Sequence, residues 1–283
     1  MASTEPRALV AEDAPALARL SVEAGWNQIA DDWRLILGHG AGEGIFADDG
    51  TALASACDVP LTARSRWICM VLVTAAARRR GHATRLMARR IDAIERAGLV
   101  AGLDATELGR PVYERLGFRP LFALTRMRAA APEWPDVDTD ATIRPMTAAD
   151  IPFVAAWDTG ATGSDRRFLL AHLLDRMPRA ARLTIRDGRI AGFAMARDGV
   201  RAAGIGPVAA DDPALAAALT TATGRAIAGP TVVDLRDDAP GFRKFLESAG
   251  FTAERGFTRM TLGEDPALAL TERLYAVAGP EFG

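Results

Sequence analysis

The chain has 283 residues, 49% hydrophobic and 25% charged, a composition typical of folded globular protein and enough for two domains with separate cores. Lys and Arg number 34 against 36 Asp and Glu, a formal net charge of -2, which argues against nucleic acid or anionic membrane as partner and requires any attraction for anions to be local. The two cysteines, Cys57 and Cys69, form no metal-ligand cluster, MASTEPRALVAEDAP lacks the basic and apolar parts of a leader, and the longest apolar run, residues 67–77, is too short for a bilayer; a cytoplasmic protein without metal is expected.

In chain order, RALVAEDAPAL (7–17) reads as a short strand and a helix start at which Asp13 is expected to cap free amides. VEAGWNQIADDW (22–33) mixes Trp26 and Trp33 with Asn27 and Asp31 ahead of a strand pair, IFADDGTALASA, that turns at Asp49 and Gly50. A third strand, WICMVLV (67–73), follows. Leu86, Met87, Ile91 and Ile94 then form an apolar stripe on a helix starting near Ala83. The strand GLDA (102–105), a short helix ending VYERLGF (112–118) and a strand through TRMR (125–128) complete the first half. The Pro- and Asp-rich APEWPDVDTD suits a linker.

The same order then recurs. RPMTAADIPFV (144–154) matches residues 7–17, and AGFTAERGFTRMT (249–261) matches LGFRPLFALTRMR (116–128), with Gly-Phe and Thr-Arg-Met in register. Between them lie a strand pair turning at Asp187 and Gly188, a strand GIGPVA (204–209) and a strand VVDL (232–235). Two copies of one fold are expected: a first domain at 1–130, a linker at 131–141 and a second domain at 142–283, whose tail PALALTERLYAVAG reads as an added C-terminal helix.

The junction between the third strand and the helix of the first copy carries RRRGHAT (78–84). A helix start exposes up to four unpaired amides and roughly half a positive charge, and Gly81 lets backbone approach a ligand closely or take a positive φ. An anion at this turn accounts for glycine, arginines and helix start together. The pattern is neither G-x-x-x-x-G-K nor G-x-G-x-x-G, so it matches neither of those nucleotide loops.

These residues resemble the GNAT (GCN5-related N-acetyltransferase) superfamily. Arg78 to Ala83 fills its R/Q-x-x-G-x-G/A signature after a strand, and Tyr113 ahead of Gly117-Phe118 fills its second, 35 residues on. The tandem layout is similar to a bacterial type with an atypical C-terminal acetyltransferase domain. The resemblance implies an α+β (mixed α/β) fold of two GNAT-like domains, each a central mixed, largely antiparallel sheet flanked by helices. It also implies an acetyl-CoA-dependent N-acetyltransferase acting by direct attack of a small-molecule amine. Met70, Val71 and Val73 would meet the pantetheine arm or the reacting oxygen, and Arg79, Arg80, Gly81, His82, Ala83 and Thr84 would cradle the diphosphate through backbone amides. Arg78, Arg80 and Arg85 would neutralise charge, and Thr106 would contact the cofactor. Tyr113, an ordinary phenol of pKa about 10, would protonate the departing thiolate.

Several positions keep two readings. Tyr113 is equally a core aromatic, His82 a backbone position only, and Asp104 a base or a turn residue; Asp58 and Glu43 are further candidates for a base that WICMVLV lacks. Trp26 and Asn27 are placed on the acceptor wall, and Asp165, Arg166 and Arg259 either face the acceptor or form surface ion pairs. The second copy has GPVAADDPALAAAL (206–219) opposite the arginine loop and Leu246 opposite Tyr113, so the first copy is expected to carry the site. A homodimer is compatible with the sequence. The competing class is a catalytically inactive coenzyme A or metabolite sensor.

Overall fold

The computed structural model describes residues 5–269 and 272–283. The first half runs β1 (Arg7–Ala8), α1 (Ala14–Glu23), α2 (Ala30–His39), β2 (Ala41–Phe46), β3 (Ala52–Pro60), β4 (Ser65–Val73), α3 (His82–Arg96), β5 (Val100–Thr106), α4 (Arg110–Arg115) and β6 (Arg119–Ala129). The second repeats it as β7 (Thr142–Pro145), α5 (Ile151–Thr162), α6 (Arg167–Arg176), β8 (Arg182–Arg186), β9 (Arg189–Arg197), β10 (Ala203–Ala210), α7 (Pro213–Gly224), β11 (Thr231–Arg236), α8 (Pro240–Ser248) and β12 (Thr252–Leu262). A short strand, β13 (Leu274–Ala276), follows.

Local chemistry explains most of these elements. The β8–β9 hairpin turns through Asp187 and Gly188, both at positive φ (51° and 73°), the backbone that suits right-twisted antiparallel strands. Leu86, Met87 and Ile94 of α3 are buried while Arg89 and Arg96 are exposed, as the stripe requires. The two Asp-x-Pro starts differ from expectation. Asp13 and Asp150 make no bond to the first amides of α1 and α5; their carboxylates accept from Val10 N (2.9 Å) and Thr147 N (2.8 Å) and bind Arg7 and Arg144. The reason is a turn of 3-10 helix ahead of each α-helix, which puts the aspartate at the end of that turn.

Among the described residues all thirteen strands form one sheet, in the order β1-β2-β3-β4-β5-β12-β6-β11-β13-β10-β9-β8-β7. The last long strand of each half has crossed over: β12 inserts between β5 and β6, and β6 lies between β12 and β11. The crossover is fixed by a reciprocal pair of buried ions. Arg126 of the first Thr-Arg-Met binds Asp234 of β11 through two bonds (2.7 and 2.6 Å), and Arg259 of the second binds Asp104 of β5 through two (3.0 and 3.0 Å). Each arginine sits in register with its aspartate. Removing one member of such a pair leaves a buried uncompensated charge, at about 3–5 kcal/mol.

One face of the sheet carries a core shared by both halves, in which Leu17, Trp33 and Ile36 meet Val154, Leu169, Leu173 and Phe193. The other face carries separate cores beneath α3 and beneath α7 and α8. The tail expected to be helical includes residues 270 and 271, which lie outside the described residues; the rest of it is not an α-helix. A short 3-10 turn, Pro266–Ala269, precedes β13, which pairs with both β10 and β11, and Tyr275 and Val277 are buried. Sheet partners on both sides satisfy its backbone, and tertiary pairing overrides the helical propensity of its Ala and Leu residues.

Candidate active site

Strands β4 and β5 are parallel and pair only between Ser65–Trp67 and Val100–Gly102; beyond that they separate. A bulge opens β4 at this point, where the β3–β4 register shifts and Met70 takes φ 52°. The Ser55 hydroxyl donates to the Met70 carbonyl at 2.8 Å and holds the distortion. Between the separated strands lies a cavity of about 460 Å³. Its floor is Ile68, Met70 and Val71 of β4 with Leu103 and Thr106 of β5.

At one end α3 points its N-terminus toward this cavity. Gly81 precedes the helix at φ 79°, and no side chain caps the first amides. Ala83, Thr84 and Arg78 line the cavity, whereas Arg79, Arg80 and Gly81 stand exposed outside its wall. Val73 does not line it, and its carbonyl accepts from Arg78 Nε at 3.3 Å. His82 is buried, 8% exposed, and also lies off the wall. Thr106 lines the cavity, and its hydroxyl accepts from Gly109 N at 3.2 Å. Tyr113, on α4, lines it too and packs edge-on against Phe118 at 6.0 Å. Burial pushes its phenol up to about 12, so it stays a proton donor at any working pH.

The far end is built from both halves. Arg255 and Phe257 on β12 and Pro280 and Glu281 after β13 line it from the second half, and Trp26, Gln28 and Arg126 on β6 from the first. Residues 26–29 are non-helical, so Trp26 and Gln28 reach the cavity while Asn27 between them turns to the other side. There Asn27, expected on an acceptor wall, donates to Ala202 O (2.9 Å) and accepts from Arg201 N (2.9 Å) and Ala202 N (3.2 Å), tying the halves together rather than lining the cavity. Glu281 is 3% exposed, and no motif in the sequence marks it. The segment that carries it is anchored by Trp67 Nε1 donating to Pro280 O (2.8 Å) and by Arg166 donating to Gly283 O (2.9 Å).

The carboxylates considered as bases are engaged elsewhere. Glu43 is bound by Arg89 and Arg90, which hold its carboxyl below the usual range; Asp58 is bound by Arg66 and Arg90. Asp104 lines the cavity but is held by Arg259, and burial raises its carboxyl above the usual value against that pull. Arg166 is buried against Asp158, and Asp165 is exposed, so neither faces the cavity. Burial raises the thiols of Cys57 and Cys69, which leaves no reactive thiolate here.

The second half keeps a bulge in β10 and a splayed strand pair but not the open cavity, the uncapped helix start or the phenol. β10 and β11 pair over Ala203–Ile205 and Thr231–Val233, and the space beyond is taken by β13. The start of α7 is capped by Asp212, whose carboxylate accepts from Leu215 N at 2.9 Å, with Pro213 as the first helical residue. Leu246 is buried where Tyr113 would correspond.

The sequence profile of the Acetyltransferase (GNAT) domain matches residues 21–128, and a second profile of the same description matches residues 154–276. The chain belongs to the GNAT acetyltransferase superfamily. Its tandem GNAT fold is shared by solved structures at low sequence identity. A proposed acetyltransferase from Pyrococcus horikoshii superposes with a TM-score of 0.78 at 20% identity, over 99% of this chain and 95% of that one. A GCN5-related N-acetyltransferase from Sphaerobacter thermophilus gives 0.63 at 20% identity, over 93% and 98%. A tandem GNAT protein from the clavulanic acid biosynthesis pathway gives 0.65 at 16% identity, over 92% and 99%. No curated protein matches the chain in sequence. Among the described residues no helix is long and apolar enough to cross a membrane, and no group of side chains is arranged to hold a metal ion.

Proposed function

We propose that the first GNAT domain transfers an acetyl group from acetyl-CoA to the amine of a small molecule, with no acyl-enzyme, and that the second domain supplies the acceptor end of the pocket. The residues present fit an acyl-CoA. The start of α3 offers uncapped amides behind a left-handed glycine, and Arg78 adds positive charge at the cavity mouth. When bound, the cofactor supplies the activated acetyl thioester.

The residues of the chain then have distinct tasks. Amides from Arg79 to Thr84 hold the diphosphate, and Thr106 lies along the arm. The bulge at Met70 breaks the β4 ladder, which frees main-chain amides of Met70 and Val71 to meet the developing oxyanion. Tyr113 holds a proton for the leaving sulfur, and its raised pKa keeps that proton in place until the thiolate appears. Trp26 and Phe257 give the acceptor apolar contact.

The observation that carries this reading is the coincidence, around one cavity, of an uncapped helix start, a bulged and splayed strand pair, and a buried phenol. Tyr113→Phe tests it. Turnover measured as free-thiol release should fall by about 10²–10⁴, with coenzyme A affinity by calorimetry nearly unchanged. Undiminished turnover would remove Tyr113 from the mechanism.

A further inference from the structure

Three buried polar atoms that make no hydrogen bond among the described residues belong to side chains lining this one cavity: Gln28 Oε1, Glu281 Oε2 and Arg255 Nε. Buried polar atoms are nearly always paired, so three orphans around one space describe what is meant to enter it. Two are acceptors and one is a donor.

Charge gives the same division. Five charged side chains line the cavity: Arg78, Asp104, Arg126, Arg255 and Glu281. Arg78 lies at the α3 end, Asp104 is matched by Arg259, and Arg126 by Asp234. Glu281 and Arg255 remain. Glu281 binds Arg197, but Arg197 also binds Asp32 (2.7 Å), and Asp32 binds Arg176 (2.6 Å), which binds Asp198. Two guanidinium groups thus face two buried carboxylates, Asp32 and Glu281, while Asp198 is 59% exposed to water; because Arg197 is shared, Glu281 Oε2 is left without a hydrogen bond among the described residues. Among the described residues Arg255 has no ion pair or side-chain hydrogen bond, only the face of Phe257 at 5.1 Å. Burial and the nearby Arg126 both act against its charge and outweigh the more distant Asp234, Glu254 and Glu281, which act in its favour. Arg255 also lines a small adjoining cleft with Arg126, Arg128 and Arg201, where Glu254 is the lone carboxylate, so the surroundings on that side are cationic.

We infer that the acceptor is amphoteric: its amino group is received by Glu281 and Gln28, Glu281 taking the ammonium proton so that the nitrogen can attack, and an anionic group on the same molecule, carboxylate or similar, is received by Arg255. This rests on the acetyltransferase reading above and adds the class of substrate. An amine without the anion leaves the buried Arg255 Nε unpaired, and a group that cannot donate leaves Glu281 Oε2 and Gln28 Oε1 unpaired. Free amino acids have both groups, as do amino sulfonates; protein lysines and simple polyamines lack the anion.

The test is a panel of the twenty common amino acids and taurine, each amino acid paired with its carboxamide and its decarboxylated amine, assayed with acetyl-CoA for thiol release and acetylated product. At least one amphoteric acceptor should be used, with kcat/KM about ten- to a hundredfold above its uncharged-end partners. Arg255→Gln should raise KM for that acceptor by a similar factor, Arg255→Lys should restore part of it, and neither should change the KM for acetyl-CoA. Equal use of the decarboxylated amine, or no use of any amphoteric member, overturns the inference. Calorimetry with coenzyme A separates the two levels: absence of binding defeats the acetyltransferase reading itself, whereas binding without preference for amphoteric acceptors defeats this inference alone.

Discussion

The two halves of the chain use the same strand-helix-strand unit in opposite ways. In the first, β4 and β5 part after three residue pairs and leave a cavity; in the second, β10 and β11 part similarly and β13 fills the gap. In the first, the following helix begins at a left-handed glycine with its amides uncapped; in the second, Asp212 occupies that role and satisfies Leu215 N. One fold can therefore enclose an open cavity or a filled wall, according to whether its splayed strands and helix start are left open or are satisfied by the chain itself. The second half also lines the cavity of the first: its strand β12 and the segment after β13 stand at one end of it.

The largest effect expected from breaking this relation comes from separating the halves. Residues 1–130 expressed alone lose β12, which pairs with β5 over six residues, and leave Asp104 without Arg259. That fragment should show no cooperative thermal unfolding. A sharp transition from the isolated fragment would mean that the strand crossover is dispensable.

A smaller effect should follow from giving the first half the device of the second. Gly81→Asp places a carboxylate at the start of α3, where it competes with a bound anion, on a backbone with φ 79° that disfavours any side chain by roughly 1–2 kcal/mol. Coenzyme A affinity by calorimetry should drop at least about tenfold. An unchanged affinity would take the helix start out of the site. The converse variant, Asp212→Ala, should cost about 0.5–2 kcal/mol in denaturant titration through loss of the cap, with coenzyme A affinity unaltered. A matching loss of affinity would implicate α7 in binding.

Much of this contrast was readable from residue order. The internal repeat, both Asp-Gly hairpins, the apolar stripe of α3 and the arginine-glycine turn are local signals, and the structure contains the elements they imply. Non-local partners were not legible. Thr-Arg-Met recurs in register, yet nothing in its sequence says that Arg126 reaches Asp234 and Arg259 reaches Asp104 across a strand exchange, because such pairing depends on sheet order rather than spacing. The tail misled for the same reason: its Ala-Leu composition favours helix locally, while two strand partners make it β13. Of Trp26 and Asn27, both expected to bind substrate, only Trp26 lines the cavity, since alternation in an extended stretch sends Trp26 and Gln28 to it and Asn27 away from it. Arg255 and Glu281 carry no motif, and only the assembled cavity reveals them.

A crystal structure of the full chain with coenzyme A tests the central claim most directly. The diphosphate should lie against the amides that follow Gly81, with the pantetheine arm between β4 and β5 and its sulfur near the Tyr113 hydroxyl. Coenzyme A bound beside α7 or along β10 and β11 would contradict the division of labour between the halves.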